Sequence, residues 1–142
     1  MPKQKITKSD VNYVIKIEKT STLRQSEEVS REAVSFLSEN ILSEGIWKTV
    51  IPAEWNTGWV MDGNHRLSVA RYLGLTYLPV VRLHYDDPRV RVLRWDNCEP
   101  YPMHQLRCEI QSSILLPFKT TKHLFNPLLP DIRMVLDELR GH

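Results

Sequence analysis

Cysteine is scarce in this chain: Cys98 and Cys108 are the only two among 142 residues. A disulfide-stapled scaffold is therefore excluded, and with no export signal both thiols are expected to be reduced. Long apolar runs are missing too. None approaches the roughly 20 residues that a membrane-spanning helix needs. Met1 to Asp10 is polar and basic and lacks the apolar stretch of a secretory signal. The expectation is a cytoplasmic protein with no membrane partner. An excess of one charge is also lacking. The net charge is +2 and the pI about 8.6, which argues against nucleic acid as the partner. Internal repeats and low-complexity tracts are absent.

What is present is the composition of an ordinary globular chain, 42% hydrophobic and 25% charged. Residues 1–10 read as a flexible arm and residues 11–142 as one domain, long enough to bury a core without disulfides. Val11, Tyr13, Ile15 and Ile17 alternate with other residues as in a strand, with apolar Val14 out of pattern. Ser30 is placed to cap a helix that carries Val34, Leu37 and Ile41 on one face and stops at Gly45. Lys48 to Ala53 and Trp59 to Met61 read as strands around an Asn56-Thr57-Gly58 turn. A second helix is expected over His65 to Leu73, then a strand over Leu78 to Tyr85. Asp86-Asp87-Pro88 turns the chain into a strand marked by Val90 and Val92. Leu106, Ile110 and Ile114 lie four apart, as on one helical face ended by Pro117. A last helix is expected over Asp131 to Arg140 from Ile132, Val135, Leu136 and Leu139. The order gives an α/β (α+β) fold, a small mixed sheet with flanking helices.

The most informative stretch is Met61-Asp62-Gly63-Asn64-His65-Arg66-Leu67. A strand ends, a glycine turns the chain, and a helix starts. The first amides of a helix have no partner within it and carry the positive end of its dipole, which makes an anion site. His65 and Arg66 stand in that first turn, where the dipole disfavours cations. An external anion explains them better than helix stability does, and Arg suits bidentate contact with phosphate. Farther on, Lys119-Thr120-Thr121-Lys122-His123 gathers two cations, two hydroxyls and an imidazole. His104 between Cys98 and Cys108 matches no usual zinc spacing, so a core thiol and a surface histidine are expected there.

The Asp62–Arg66 stretch, with Ala70, Leu73-Gly74 and Leu78-Pro79-Val80 after it, resembles the nucleotide motif of the ParB/sulfiredoxin superfamily. Kinase members usually write it Asp-Gly-His-His-Arg, so Asn64 replaces a histidine. Leu116 to His123 resembles the Pro-Pro-Lys-Thr-Thr-Arg-His segment of that superfamily's free L-serine kinases. Phe118 and Lys122 are the departures. Ser26-Glu27-Glu28 resembles the same kinases' His-Glu-Glu, with Ser26 replacing the histidine. The resemblance covers about residues 11–125, and the chain is shorter than those kinases between Trp95 and Pro117.

The resemblance implies a compact ParB N-terminal/sulfiredoxin-like fold and transfer of phosphate from ATP or ADP, with Mg2+, to free L-serine or a similar hydroxy amino acid. It implies Glu27 as base and Asp62 as orienting carboxylate that also meets the magnesium. Gly63, Asn64, His65 and Arg66 would bind the nucleotide, and Lys119, Thr120, Thr121, Lys122 and His123 the acceptor. Sulfiredoxin chemistry needs a cysteine where Asn64 stands. Two alternatives stay open, a nucleotide-binding regulator and a ParB-like DNA-binding protein, both without kinase activity.

Overall fold

The computed structural model describes residues 12–141. The expected arm and Val11 lie outside them. Tyr13, Ile15 and Ile17 are buried while Val14 is 69% exposed. The alternation read from the sequence therefore holds, and Val14 is the residue that faces solvent. Only the end of this run is hydrogen-bonded as a strand, β1 (Lys16–Lys19).

Helix α1 (Arg31–Glu44) starts where Ser30 accepts the Ala33 amide at 3.2 Å and ends at left-handed Gly45. The chain then forms β2 (Ile46–Thr49) and β3 (Ile51–Glu54). These are two strands in different sheets, where the sequence suggested one strand over 48–53. Trp59 and Val60, expected in a return strand, make only isolated bridges, to Arg24 and Ala53. Helix α2 (Asn64–Tyr72) leads into β4 (Tyr77–Leu83), and β3 and β4 pair in parallel across it. With β1 antiparallel on its other side, β4 is the centre of a mixed sheet ordered β1-β4-β3.

The rest of the chain closes two smaller ladders. β5 (Val90–Arg94) pairs antiparallel with β6 (Thr121–Phe125), and helix α3 (Met103–Gln111) lies in the connection between them. Three of the five residues of the polar cluster 119–123 are therefore strand. Ile114 lies beyond α3 and is 47% exposed, because Ser113 turns left-handed (φ 55) and takes the chain off the helical face. The expected last helix is absent. Asp131–Val135 is β7, paired antiparallel with β2, and Leu136–Leu139 is a 3-10 turn. The structure thus has the mixed α+β character expected, with small sheets and three α-helices among the described residues. No helix among the described residues is long and apolar enough to cross a membrane.

Most of the core lies between the β4 sheet, α1, α2 and the β2–β7 ladder, around Trp47, Ile51, Leu67, Leu78 and Met134. A second cluster of Trp59, Val92, Tyr101, Leu106, Ile110 and Leu116 packs α3 onto the β5–β6 ladder. The chain segments that carry the sequence motifs meet where these two clusters adjoin.

Candidate functional site

Gly63 sets the geometry of the turn. It is the N-cap of α2 with φ 95, and a Cβ there would stand 2.9 Å from the Ile51 side chain. Glycine is the residue that fits both the left-handed backbone and the close approach. No side chain caps the helix, and among the described residues the amides of Asn64, His65 and Arg66 have no backbone partner. The start of α2 thus leaves three amides open, as the sequence-based expectation of an anion site requires.

Around it lies a cleft of about 420 Å³. Glu27, Asp62, Gly63, Asn64, His65, Arg66, Lys119, Thr121, Lys122 and His123 all line it. Of the catalytic and binding residues expected from the sequence, Thr120 alone is not in the lining. Its amide points to Glu27 and its hydroxyl donates to the Pro117 carbonyl at 2.6 Å. Three segments separated by more than thirty residues each therefore converge on one space.

Glu27 is buried and its carboxylate is held from one side. Oε1 accepts the Thr120 amide at 3.3 Å, and Oε2 accepts the Thr121 amide at 3.0 Å and the Thr121 hydroxyl. A parallel bridge between Glu27 and Leu116, with the Glu28 amide on the Leu116 carbonyl at 2.8 Å, fixes the backbone beneath. Charge-assisted bonds of this kind are roughly twice as strong as neutral ones. Glu28 is exposed and lines the same cleft.

Ser26 and Asn64, the two positions where a family histidine is replaced, touch each other. Asn64 Oδ1 accepts the Ser26 amide at 2.8 Å, and its Nδ2 donates to Ser26 Oγ at 3.0 Å. Ser26 Oγ donates in turn to the Val60 carbonyl at 2.5 Å. The Asn64 side chain is thus engaged with the loop that carries Glu27, and Asn64 meets the anion site through its backbone amide. Asn64→Ala is expected to leave the buried Ser26 amide without an acceptor and to destabilise the fold by about 1–3 kcal/mol. Denaturant unfolding measures this, and an unchanged midpoint would show that the contact carries no weight.

His65 is neutral. Its Nε2 accepts the Ser30 amide at 3.1 Å, and desolvation holds its pKa below the ordinary value. The cation that the sequence placed at the helix start is therefore Arg66 alone. Arg66 makes no hydrogen bond or ion pair with a described residue, although Asp62 lies within its field. Asp62 is open to solvent on the cleft side but closely surrounded by protein. That desolvation raises its pKa, against the opposing pull of the Gly63 amide and of Arg66.

Lys119 and Lys122 have no carboxylate partner among the described residues. Their ammonium groups instead lie 5.3 and 5.0 Å from the centre of the Trp95 ring. The Trp95 amide donates to the Thr120 carbonyl at 3.3 Å, which extends the β5–β6 ladder and sets the indole between the two lysines. Such contacts hold a cation with about 0.5–1 kcal/mol at exposed sites, so both lysines are placed and still available. Lys119 itself is left-handed, φ 56, a conformation uncommon for a residue with a side chain. Trp95 is one of four tryptophans that the sequence offers as core or pocket walls, and it is the one that lines this cleft. Cys98 and Cys108 are both exposed, so the core thiol expected from the sequence is not there.

No protein-family model matches the chain, and no characterised protein matches it in sequence. Solved structures do match in fold. A free serine kinase in complex with AMP superposes with a TM-score of 0.77 at 15% identity, covering 97% of this chain and 98% of that one. A conserved hypothetical protein from Pyrococcus furiosus gives 0.68 at 14% identity, with 98% and 100% covered. SbnI with a C-terminal truncation, from Staphylococcus aureus, gives 0.63 at 11% identity, with 81% and 85% covered. The chain has the fold of the free serine kinase structures, and the resemblance read from its motifs extends to its architecture.

Proposed function

We propose that this protein is a cytoplasmic small-molecule kinase that transfers a phosphoryl group from ATP or ADP to the hydroxyl of free L-serine, or of a similar hydroxy amino acid. The observation that carries this is the convergence of Glu27, the α2 N-terminus with Arg66, and Lys119–His123 on one cleft. Phosphoryl transfer asks a protein for positioning, charge neutralisation and a base, and little else. The three segments supply one each. The fold shared with structures of free serine kinase in complexes with AMP and ADP supports the same reading.

The open amides of Asn64, His65 and Arg66 and the Arg66 guanidinium take the oligophosphate. Lys122, with Lys119, takes the carboxylate of the acceptor. Glu27 removes the proton from the attacking hydroxyl as the oxygen–phosphorus bond forms and the bond to the nucleotide's leaving oxygen breaks. The Thr120 and Thr121 amides fix Glu27 in place for that step. Asp62 fits a magnesium ion, because among the described residues its carboxylate is bonded only by the neighbouring Gly63 amide and magnesium prefers one or two carboxylates plus phosphates and water. Such an ion would neutralise charge on the phosphates.

The direct test is incubation with Mg2+, ATP or ADP, and a panel of serine, threonine and homoserine, read by phosphorus NMR. A new phosphomonoester resonance is expected. If no hydroxy amino acid is modified with either nucleotide, the regulator reading replaces this one. Lys122→Ala is expected to raise the Michaelis constant for the acceptor about 10-fold or more, the loss of one charge-assisted contact, while nucleotide affinity stays nearly unchanged. Lys122→Arg should keep acceptor binding at least in part. A collapse of nucleotide binding in Lys122→Ala with acceptor affinity intact would mean that the two substrates are placed the wrong way round.

A further inference from the structure

A partly buried hydrogen bond stands in the wall of this cleft. Tyr85 Oη is 2.9 Å from Nε2 of His123, which sits in the middle of β6 opposite Val92. The imidazole lies between the Tyr85 and Phe125 rings, with centroids 5.7 and 6.4 Å away. Its other nitrogen, Nδ1, is buried and has no hydrogen-bond partner among the described residues.

The tautomer follows from counting donors. His123 Nε2 is the one acceptor within hydrogen-bond distance of Tyr85 Oη among the described residues, and the phenol has one O–H to give. If that hydrogen goes to His123 Nε2, the proton of the neutral ring is on Nδ1, and one group, the Nδ1–H, lacks a partner. If Nε2 donates instead, both the Tyr85 hydrogen and the Nδ1 lone pair lack partners. Each unsatisfied buried group is costly, so the first arrangement wins. The phenol keeps its proton, because burial and the carboxylates of Glu54 and Glu27 raise its pKa. Desolvation lowers the His123 pKa to about 3, which keeps the ring uncharged.

We propose that Tyr85 is a positioning residue that fixes His123 as the Nδ1–H tautomer, so that the cleft presents one neutral, directed donor to an anionic oxygen of its ligand. The ligand class, a phosphomonoester of a hydroxy amino acid, rests on the function proposed above. A neutral donor orients an oxygen without adding charge to the three cations already present. It also persists through the pH range where an ordinary histidine titrates, near 6.5.

Histidine-labelled protein read by long-range proton–nitrogen NMR tests this with no need for turnover. The chain has five histidines, and His123→Asn assigns the resonance. The wild type is expected to show His123 with a protonated Nδ1, a bare Nε2, and no titration between pH 8 and pH 5. Adding O-phospho-L-serine should shift Nδ1. Tyr85→Phe should mix the tautomers and weaken O-phospho-L-serine binding roughly 2- to 12-fold, the value of one ordinary hydrogen bond. A protonated Nε2, or an imidazolium at pH 7, in the wild type alone overturns the proposal, whether or not Tyr85→Phe folds. An Nδ1 that does not move on saturation with O-phospho-L-serine overturns the donor role. A fixed tautomer that responds to the phosphomonoester in a protein that phosphorylates nothing would keep this inference and reject the kinase.

Discussion

Glu27→Gln will lower the turnover number about 10²- to 10⁴-fold, the usual worth of a general base. Glutamine preserves the shape but cannot take a proton. It also disturbs the hydrogen bonds in a way that the structure specifies. The Thr121 amide and hydroxyl share Oε2, so the glutamine oxygen belongs there. Its NH2 then faces the Thr120 amide, which loses its longer bond of 3.3 Å. One weak bond of this class is worth about 0.5–1.5 kcal/mol in stability. The turnover loss should therefore far exceed any loss of folding free energy, and calorimetric nucleotide affinity should change little. Near-normal turnover in a folded Glu27→Gln would remove Glu27 as the base, and Glu28, exposed in the same cleft, would be tested next.

Arg66→Ala will weaken nucleotide binding by about 1.5–3 kcal/mol, roughly a 10- to 150-fold rise in Kd. The size of the effect follows from what Arg66 does not do. It has no hydrogen bond or ion pair among the described residues, so its removal breaks no structural contact of that kind. It also lines both the main cleft and a recess of about 160 Å³ beyond the Asp62 turn, which suits a group that reaches along an oligophosphate. With His65 neutral, no second cation in the helix start can replace it. Calorimetry with AMP, ADP and ATP should show the loss growing with phosphate number. Equal affinity in wild type and mutant for all three would take Arg66 out of the phosphate site.

The parts of the fold written in local chemistry were legible. Ser30 and Gly45 bound α1, and Gly63 marks the turn into α2, because a cap or a left-handed turn needs particular residues. The β7 segment was not legible. Ile132, Val135, Leu136 and Leu139 fit a helical face, but along the strand the buried residues are Ile132, Met134 and Leu136, a period of two, with Val135 exposed and Leu139 buried from the 3-10 turn that follows. Both periods are present in the sequence, and pairing with β2, more than eighty residues earlier, selects the strand. The break between β2 and β3 is hidden for the same reason, since each half takes a different partner.

The site divides in the same way. Its motifs could be found one at a time, and the resemblance joined them. The Ser26 and Asn64 departures could each be seen, but not that they contact each other across 38 residues. Tyr85 reaches His123 across another 38, and Trp95 reaches Lys119 and Lys122 only through strand register. Side chains that act by holding other side chains leave no spacing in the sequence.

The most direct test of the central claim is the stoichiometry of nucleotide conversion with and without L-serine. The account predicts that magnesium and ATP or ADP are stable in the presence of the protein alone. On addition of serine, one O-phosphoserine should form for each nucleotide that loses a phosphate. Nucleotide loss that does not depend on any hydroxy amino acid, or none at all across the panel, would contradict the assignment of this cleft to a small-molecule kinase.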